Sequence, residues 1–200
     1  MSEHLASEPG DDPIARFLEL WTLAAESEPL GAAPCVLATV SAEGRPSART
    51  MLLKGADAEG FVFYTNFGSR KAQELDANRF AALSFHWPSI GVAARVEGPT
   101  ERVSDAEADA YFATRPRLSQ IGAWASRQSQ EIESRQLLED AIARFEARFE
   151  DAPVPRPEFW GGYRLEPDAI ELWHDQQFRL HDRFLFRRAA AGWTRSRLSP

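Results

Sequence analysis

The residues best suited to chemistry in this sequence are cations and hydroxyls that could bind phosphate. The run Gly68-Ser69-Arg70-Lys71 stands where a strand-like segment gives way to a helix-like one. A helix N-terminus already carries partial positive charge, so two further cations there favour a bound anion. The alternative is a pair of solvated basic side chains, which position alone does not exclude.

A second group of this kind lies on one face of a predicted helix and just beyond its end. Tyr111 and Arg115 are four residues apart and are therefore neighbours on the helix surface. Arg117 and Ser119 follow Pro116, which ends that helix. Hydroxyl and guanidinium groups that converge at a helix end suit a phosphomonoester, although the same spacing is compatible with ordinary surface residues.

Two strand-like segments carry further cations. Arg49 and Lys54 lie in SARTMLLK, where a two-residue period places them on opposite faces unless a bulge intervenes. Near the C-terminus, Arg179, His181 and Arg183 alternate with other residues and would project from one side of a strand. An ordinary exposed basic strand is the alternative at both places.

Charge and composition restrict the class of protein. With 200 residues, of which 44% are apolar and 26% charged, the chain can bury a core. The net charge of -7 argues against a general nucleic-acid binder, and residues 177–200, with six arginines and one acid, suggest a local anion site. Only Lys54 and Lys71 among the 23 basic residues are lysines, which directs attention to both.

Several functional classes are disfavoured by what the sequence lacks. It contains no G-x-G-x-x-G, no P-loop, no H-E-x-x-H and no G-x-S-x-G, and its four histidines are scattered, so no metal site is predicted. Cys35 is the single cysteine and is expected to be a buried hydrophobe. No apolar run approaches a membrane span and no secretory signal opens the chain, so we expect a soluble, cytoplasmic protein.

Hydropathy patterns predict an α+β protein with many short strands. Asp12-Pro13 is expected to open an amphipathic helix that ends near residues 29–31. CVLATV, SARTMLLK and GFVFYTN, separated by short turns, predict an antiparallel meander. Further strands are predicted in AALSFHW, AARVEG, YRLEP, AIELWH, DRFLFRR and GWTRSRL.

Helices are expected between these strands without regular alternation. A short helix is predicted at 69–75, a second from the capping box of Ser104 and Glu107 to about Thr114, and a third at 130–149. This order disfavours a doubly wound parallel sheet and indicates a barrel or sandwich with added helices. We find no repeat and no linker, so one domain is predicted over 1–200.

Four stretches share the pattern of a known family: RTMLLK (49–54), GFVFYTNFGSRKAQEL (60–75), YFATRPRLSQIGAWASRQS (111–129), and FWGGYRLEP through ELWHDQQFRLHDR to the end. From about residue 12 to 200 the chain resembles the pyridoxamine 5'-phosphate oxidase family. The resemblance implies a mainly antiparallel split β-barrel of Greek-key type, flanked by helices and forming a homodimer. It also implies a flexible tail over 1–11 and a C-terminal dimerisation and substrate segment over 160–200.

The resemblance further implies a cofactor, a reaction and residue roles. Flavin mononucleotide (FMN) would lie at the dimer interface and be contacted by Arg49, Thr50, Met51, Leu52, Leu53, Lys54, Tyr64, Thr65, Arg70, Lys71, Gln128, Ser129, Trp173 and Arg183, with Arg70 and Lys71 at its phosphate. The substrate phosphate would be bound by Lys54, Tyr111, Arg115 and Ser119, while Arg179 and His181 would cover the pyridine ring and the reacting carbon as catalytic residues. The implied reaction converts pyridoxamine or pyridoxine 5'-phosphate to pyridoxal 5'-phosphate, with O2 as acceptor and H2O2 as product.

Three departures from the family pattern keep alternatives open. Val92 and Ala93 replace an Arg-Gln pair, and losing one neutral hydrogen bond to the flavin should cost about 0.5 to 1.5 kcal/mol. The family's basic, tyrosine-containing N-terminal arm is not visible in MSEHLASEPGDD, and His174-Asp175 replaces a Gln-Gly pair. One alternative is a split-barrel flavin oxidase with another small ring substrate; the other is a non-catalytic protein that binds flavin or pyridoxal phosphate.

Overall fold

The computed structural model describes residues 10–200, so the predicted tail over 1–11 lies almost wholly outside the described residues. Helix α1 (Pro13–Ser27) begins where the sequence predicts. The Asp12 carboxylate accepts hydrogen bonds from the backbone N–H groups of Ile14 at 2.9 Å and Ala15 at 3.1 Å. These bonds satisfy donors that the first helical turn leaves without partners.

The other elements follow in an irregular order along the described chain. The strands are β1 (Pro34–Val40), β2 (Pro46–Leu52), β3 (Gly55–Asp57), β4 (Gly60–Asn66), β5 (Phe80–Trp87), β6 (Val92–Arg102), β7 (Trp160–Leu165), β8 (Ala169–His174), β9 (Asp182–Ala189) and β10 (Gly192–Leu198). The helices are α2 (Arg70–Ala77), α3 (Asp105–Thr114), α4 (Arg117–Ala125) and α5 (Arg135–Arg148). None of the helices in residues 10–200 has the length and apolar character needed to cross a membrane.

The strands form a curled antiparallel sheet, which confirms the expected split-barrel architecture. One path through the sheet runs β10-β9-β8-β6-β5-β1-β2. Strand β4 pairs with β3 and β7, and β7 also pairs with β6. The eleven-residue β6 therefore takes part in both halves of the sheet: it pairs with β5 along one edge, and along the other edge with β8 and then, near its C-terminal end, with β7.

The predicted meander of three consecutive strands is wrong at its third member. Strand β2 pairs with β1, but β4 pairs with the short β3 and the distant β7 instead of with β2. Six of the seven residues of β4 are buried, so both faces of the strand need cover. A strand buried on both faces belongs inside the fold, where a partner from the C-terminal part of the chain is available.

An aromatic core joins α1 to both halves of the sheet. The ring of Phe17 lies 4.9 Å from that of Phe61 on β4, 5.0 Å from Phe85 on β5 and 5.5 Å from Trp87, measured between ring centroids. All four side chains are essentially removed from solvent. Tilted and edge-on packing of this kind fixes β4 relative to β5 and so holds the elements that carry the site.

The segment after α3 differs from the sequence prediction. Helix α4 was not predicted, because its N-cap position is Pro116, which supplies no side-chain cap. The helix predicted over 130–149 begins only at Arg135, and a loop occupies 126–134. Helix α5 packs on α4 through Trp124, whose ring lies 5.7 Å from that of Phe145 and 5.6 Å from that of Phe149.

Candidate functional site

A cleft of about 350 Å³ contains all four residues of the predicted substrate-phosphate group. Lys54 comes from the segment just after β2, Tyr111 from α3, Arg115 from the C-cap of α3 and Ser119 from the first turn of α4. Pro116 separates the two helices, so α3 ends at Arg115 while Ser119 returns to the same cleft. The arrangement presents two cations and two hydroxyls to one space.

Arg115 is the clearest sign that this cleft takes an anion. Its guanidinium lies over the ring of Trp160, 4.6 Å from the centroid, and 5.4 Å from that of Phe112. Its buried Nη1 atom has no hydrogen-bond partner in residues 10–200, and burial lowers its pKa from the ordinary value. A buried donor without a partner is costly, and a phosphate oxygen would remove that cost.

Stacked aromatic rings form one wall of the cleft. The ring centroid of Tyr64 lies 4.0 Å from that of Tyr111 and 5.4 Å from that of Trp160, Tyr111 and Trp160 are 6.2 Å apart, and the three rings are nearly parallel. A Cβ on Gly162 would approach the Tyr64 ring to 2.8 Å, so the glycine leaves room for the stack. Burial, with Glu107 and Tyr111 adding to it, raises the pKa of Tyr64 to about 12, so its hydroxyl stays protonated at neutral pH.

Lys71 places a further positive charge directly behind two residues that line the cleft. Its Nζ donates to Oγ1 of Thr65 at 3.2 Å and to Oε1 of Gln128 at 3.0 Å, and both of these residues line the cleft. Burial, followed by the nearby charge of Arg49, lowers the pKa of Lys71 to about 8. A buried ammonium bonded to neutral oxygens fits an anionic ligand such as a phosphate group.

Arg49 and Arg70 share one buried carboxylate, that of Glu74. The buried Glu74 carboxylate accepts from Arg49 Nη2 at 3.1 Å and from Arg70 Nε at 2.8 Å, and also from the hydroxyls of Thr39 and Ser47. Burial alone would raise the pKa of Glu74, but these hydrogen bonds outweigh it and lower the value to about 2. Sequence reasoning missed Glu74, because nothing in KAQELDA distinguishes it from a solvated helix residue.

The side chains of residues 49–54, the predicted flavin-contacting run, differ in their exposure and in whether they line the cleft. Side chains in β2 alternate: Thr50 and Leu52 are exposed, and Arg49 and Met51 are half-buried. Leu53 is 1% exposed in the core, so it can reach a ligand only through its main chain. Lys54 is the member of the run whose side chain lines the cleft.

The other predicted residues lie at strands β8 and β9. The ring of Trp173 on β8 lies 4.4 Å from that of His181, and Arg183 on β9 donates from Nε to Oε1 of Glu171 at 2.8 Å. Arg179 lies in a 3₁₀ turn between the strands. Within residues 10–200, no hydrogen bond, ion pair or ring contact joins these four site residues to those of the cleft.

Arg179, His181 and Arg183 do not share a strand face, so that prediction is wrong. Strand β9 begins only at Asp182, and in the turn before it Phe178 and Arg179 have φ of 59° and 62°. Non-glycine residues seldom adopt this left-handed conformation, and a two-residue period cannot describe it. The turn leaves Phe178 88% exposed.

Arg117 and Ser129, which the sequence analysis placed near the phosphate and flavin sites, do not line the cleft. Arg117 donates to the carbonyl oxygens of Phe149 and Ala152, so it bonds the end of α5 and does not line the cleft. Ser129 has φ of 69° and lies in a neighbouring groove, whereas Gln128 lines both spaces. The cleft also contains residues that sequence reasoning did not single out: Asn66, Gly122, Ala123, Ser126 and Trp160.

Val92 and Ala93, the two residues that depart from the Arg-Gln pair of the family pattern, have different surroundings. Val92 is fully buried in β6, so an arginine at that position would have to place its side chain in the core. Ala93 is half-buried and lines a cavity of about 240 Å³ with its cross-strand partners His86 and Trp173. Trp173 therefore belongs to a second space, separate from the cleft of Arg115 in this protomer.

Comparison with known proteins identifies the matching family regions. Residues 24–149 match the model described as pyridoxamine 5'-phosphate oxidase, and residues 160–200 match the pyridoxine 5'-phosphate oxidase C-terminal dimerisation region. A structure of PhzG from Burkholderia lata 383, in complex with tetrahydrophenazine-1-carboxylic acid, has a TM-score of 0.91 at 28% identity and covers 100% of this chain and 98% of its own. A pyridoxamine 5'-phosphate oxidase-related, FMN binding protein from Nostoc punctiforme PCC 73102 shares the fold, with a TM-score of 0.74 at 17% identity over 94% of this chain and 97% of its own.

Curated relatives match over nearly their whole length. The pyridoxine/pyridoxamine 5'-phosphate oxidase of Rubrobacter xylanophilus is 53% identical over 197 residues, covering 98% of this chain and 91% of the relative. The protein of the same name from Rhodospirillum rubrum is 55% identical over 194 residues, covering 94% and 96%. On these matches, the chain belongs to the pyridoxamine 5'-phosphate oxidase family.

Proposed function

We propose that the protein is an FMN-dependent oxidase that converts pyridoxamine 5'-phosphate or pyridoxine 5'-phosphate to pyridoxal 5'-phosphate, with O2 as acceptor and H2O2 as product. The observation that carries the proposal is the cleft in which Arg115 lies with a buried Nη1 that lacks a partner among the described residues. Its companions Lys54, Tyr111 and Ser119 supply the charge and donors that a phosphomonoester requires.

FMN is the cofactor that the neighbouring residues fit. Lys71 is 9% exposed, has neutral oxygens as its hydrogen-bond partners and lies in the first turn of α2, where the helix dipole adds positive potential. Arg70, next to it, keeps 63% of its side chain exposed and could reach a phosphate while bonded to Glu74. When bound, FMN supplies the hydride acceptor and the subsequent reaction with oxygen.

The protein's own residues bind and orient the substrate. Arg115 and Lys54 neutralise the phosphate, while the Tyr111 and Ser119 hydroxyls donate to its oxygens. Burial raises the pKa of Tyr111, so this hydroxyl remains a donor at neutral pH. Fixing the phosphate end of a small substrate restricts the position of its reacting carbon, which is the main contribution a protein makes to flavin chemistry.

We also propose that a homodimer completes the site. The cleft residues of one protomer would face Trp173, Arg179, His181 and Arg183 of its partner, with FMN between them. The absence of contacts between the two groups in one described chain, and the match of 160–200 to a dimerisation region, support this arrangement. Residues 1–200 would form one domain in each protomer, and a sedimenting monomer with bound FMN would contradict the proposal.

Anaerobic spectroscopy tests the reaction. Pyridoxamine 5'-phosphate added to the FMN-loaded protein should bleach the visible flavin band near about 450 nm. Arg115→Met should need a much higher substrate concentration for the same bleaching. Arg117→Met is the matched control, because Arg117 is bonded to the end of α5 and should leave the substrate dependence unchanged. Bound flavin that stays oxidised with wild-type protein would refute the substrate assignment.

A second candidate substrate class comes from the structural relative PhzG, which was solved with tetrahydrophenazine-1-carboxylic acid. A reduced tricyclic carboxylic acid could use the aromatic wall of Tyr64, Tyr111 and Trp160 without a phosphate. The same anaerobic experiment with such an acid distinguishes the classes. If neither compound bleaches bound flavin, a non-catalytic flavin- or pyridoxal phosphate-binding protein becomes the better description.

A further inference from the structure

One ring nitrogen of His181 has two partners that make opposite demands on it. Nδ1 lies 3.1 Å from Oδ1 of Asp175 and 3.2 Å from the backbone nitrogen of Gln176. A peptide N–H can only donate, so it requires Nδ1 without a proton, whereas a carboxylate can only accept and requires Nδ1 with one. The position of a single proton therefore decides which partner His181 keeps.

The fold holds Asp175 beside the ring. Its backbone N–H donates to the carbonyl oxygen of Gly91 at 2.8 Å, which ties the start of the β8–β9 connection to the turn between β5 and β6. Gly91 has φ of 63°, a conformation that glycine adopts without strain. On its other side His181 packs against Trp173, which restrains the ring. The Asp175 side chain is 63% exposed, and its fixed backbone places the carboxylate beside the ring.

Asp182 and Arg183, the charged residues that follow His181 in β9, are engaged with other groups. Asp182 accepts from Nε2 of Gln176 at 3.0 Å and from Arg197. Arg183 is bonded through its guanidinium to Glu171. Asp175 is thus the carboxylate that the described structure places against the His181 ring.

We propose that Asp175 is a positioning residue that accepts the Nδ1–H of His181, fixes the ring and leaves Nε2 as the nitrogen available to the substrate. The proposal rests on the proposed function, because His181 meets the reacting carbon only there. A carboxylate that accepts from an imidazole fixes its tautomer and orientation and makes the opposite nitrogen more basic. The charge-assisted bond to Asp175 is also stronger than a neutral peptide N–H bond to Nδ1.

The test observes the tautomer of His181 directly. Nitrogen-15 labelled histidine is incorporated into the purified full-length protein with FMN added, and spectra are recorded near pH 8.5, roughly two units above the ordinary histidine pKa. The chain has four histidines, so His181→Gln identifies the signal by its loss. We expect Nδ1–H in the wild type.

Asp175→Asn should reverse the tautomer to Nε2–H, because the new amide nitrogen and the Gln176 N–H can both donate to Nδ1. Asp182→Asn is the matched control, since it removes a carboxylate of the same connection that bonds Gln176 and Arg197, and it should keep Nδ1–H. An unchanged His181 tautomer in Asp175→Asn overturns the proposal, whatever the activity of the variant.

Kinetics of the same variants separate the proposal from the function on which it rests. Asp175→Asn should lower kcat about tenfold, the lower end of the range for a group that orients a functional histidine, while KM for pyridoxamine 5'-phosphate changes less than about twofold. A reversed tautomer with unchanged kcat would overturn the positioning role. A wild-type protein that shows Nδ1–H but never reduces its flavin would refute the proposed function and leave the tautomer assignment intact.

Discussion

Replacing Glu74 by glutamine tests whether the ion-pair network around this buried carboxylate stabilises the fold. The substitution keeps the shape of the side chain and one acceptor oxygen but removes the charge shared by Arg49 and Arg70. Arg49, whose side chain is only 20% exposed, would then lack its counter-charge in a largely dehydrated position. The hydroxyls of Thr39 and Ser47 would lose a charged acceptor at the same time.

The size of the effect follows from the pKa of Glu74. The difference between its ordinary value of 4.5 and its value of about 2 in the folded protein corresponds to at most about 3.4 kcal/mol, at about 1.4 kcal/mol per pH unit. Solvent screens this network through the 63% exposed side chain of Arg70, so we expect about 2 kcal/mol. Because the folded pKa is depressed, this stability is complete above pH 4.5 and is lost as pH falls towards 2.

The assay is urea unfolding at fixed protein concentration, at pH 7 and again at pH 3. Glu74→Gln should lose about 2 kcal/mol at pH 7 and less than half of that at pH 3, where protonation has already weakened the wild type. Glu139→Gln is the control, because its ion pair with Arg135 is exposed and should contribute less than about 0.5 kcal/mol. A loss for Glu74→Gln that is as small as the control, or that does not change with pH, would refute the reasoning.

Three other side chains give independent predictions. Arg115→Ala should raise KM for pyridoxamine 5'-phosphate by about tenfold or more while FMN affinity, measured by fluorescence quenching, stays close to the wild-type value; equal losses of both would contradict separate phosphate positions. FMN affinity of the wild type should fall as pH rises above about 8, because the ammonium of Lys71 loses its proton there. Lys71→Met should bind FMN more weakly at pH 7, and its affinity should not change with pH in this range. The same pH dependence of FMN affinity in both proteins would contradict the role of Lys71 at the FMN phosphate. Burial raises the pKa of the Cys35 thiol to about 12, so a disulfide reagent should label it only after unfolding, and rapid labelling of the native protein would show that the core opens.

Local signals in the sequence predicted much of the fold. The cap at Asp12, the capping residue Ser104 and the strand GFVFYTN at 60–66 are all found where the pattern places them. These features depend on hydrogen bonds and side-chain alternation within a few residues, so no distant partner is needed to specify them. Helix α4 lacks such signals, which explains why it was missed.

The contacts of the candidate site also include some that local sequence patterns predict and others that they do not. Tyr111, Arg115 and Ser119 could be grouped from the sequence, because one helical turn and one proline determine their spacing. Lys71 meets Gln128 across 57 residues and Arg49 meets Glu74 across 25, and no local rule specifies either contact. The resemblance to the family supplied the roles of several of these residues but not the partners that set their charge.

The sequence by itself thus determined the elements, the chemical types available for phosphate binding and the family. Only the tertiary structure decided that Arg115 keeps a buried donor without a partner in the described chain, that Glu74 neutralises Arg49, and that Asp175 faces His181. The physical reason is the distance along the chain over which each interaction acts. Helix caps and strand periods arise from neighbouring residues, whereas burial and charge pairing depend on which distant segments the core brings together.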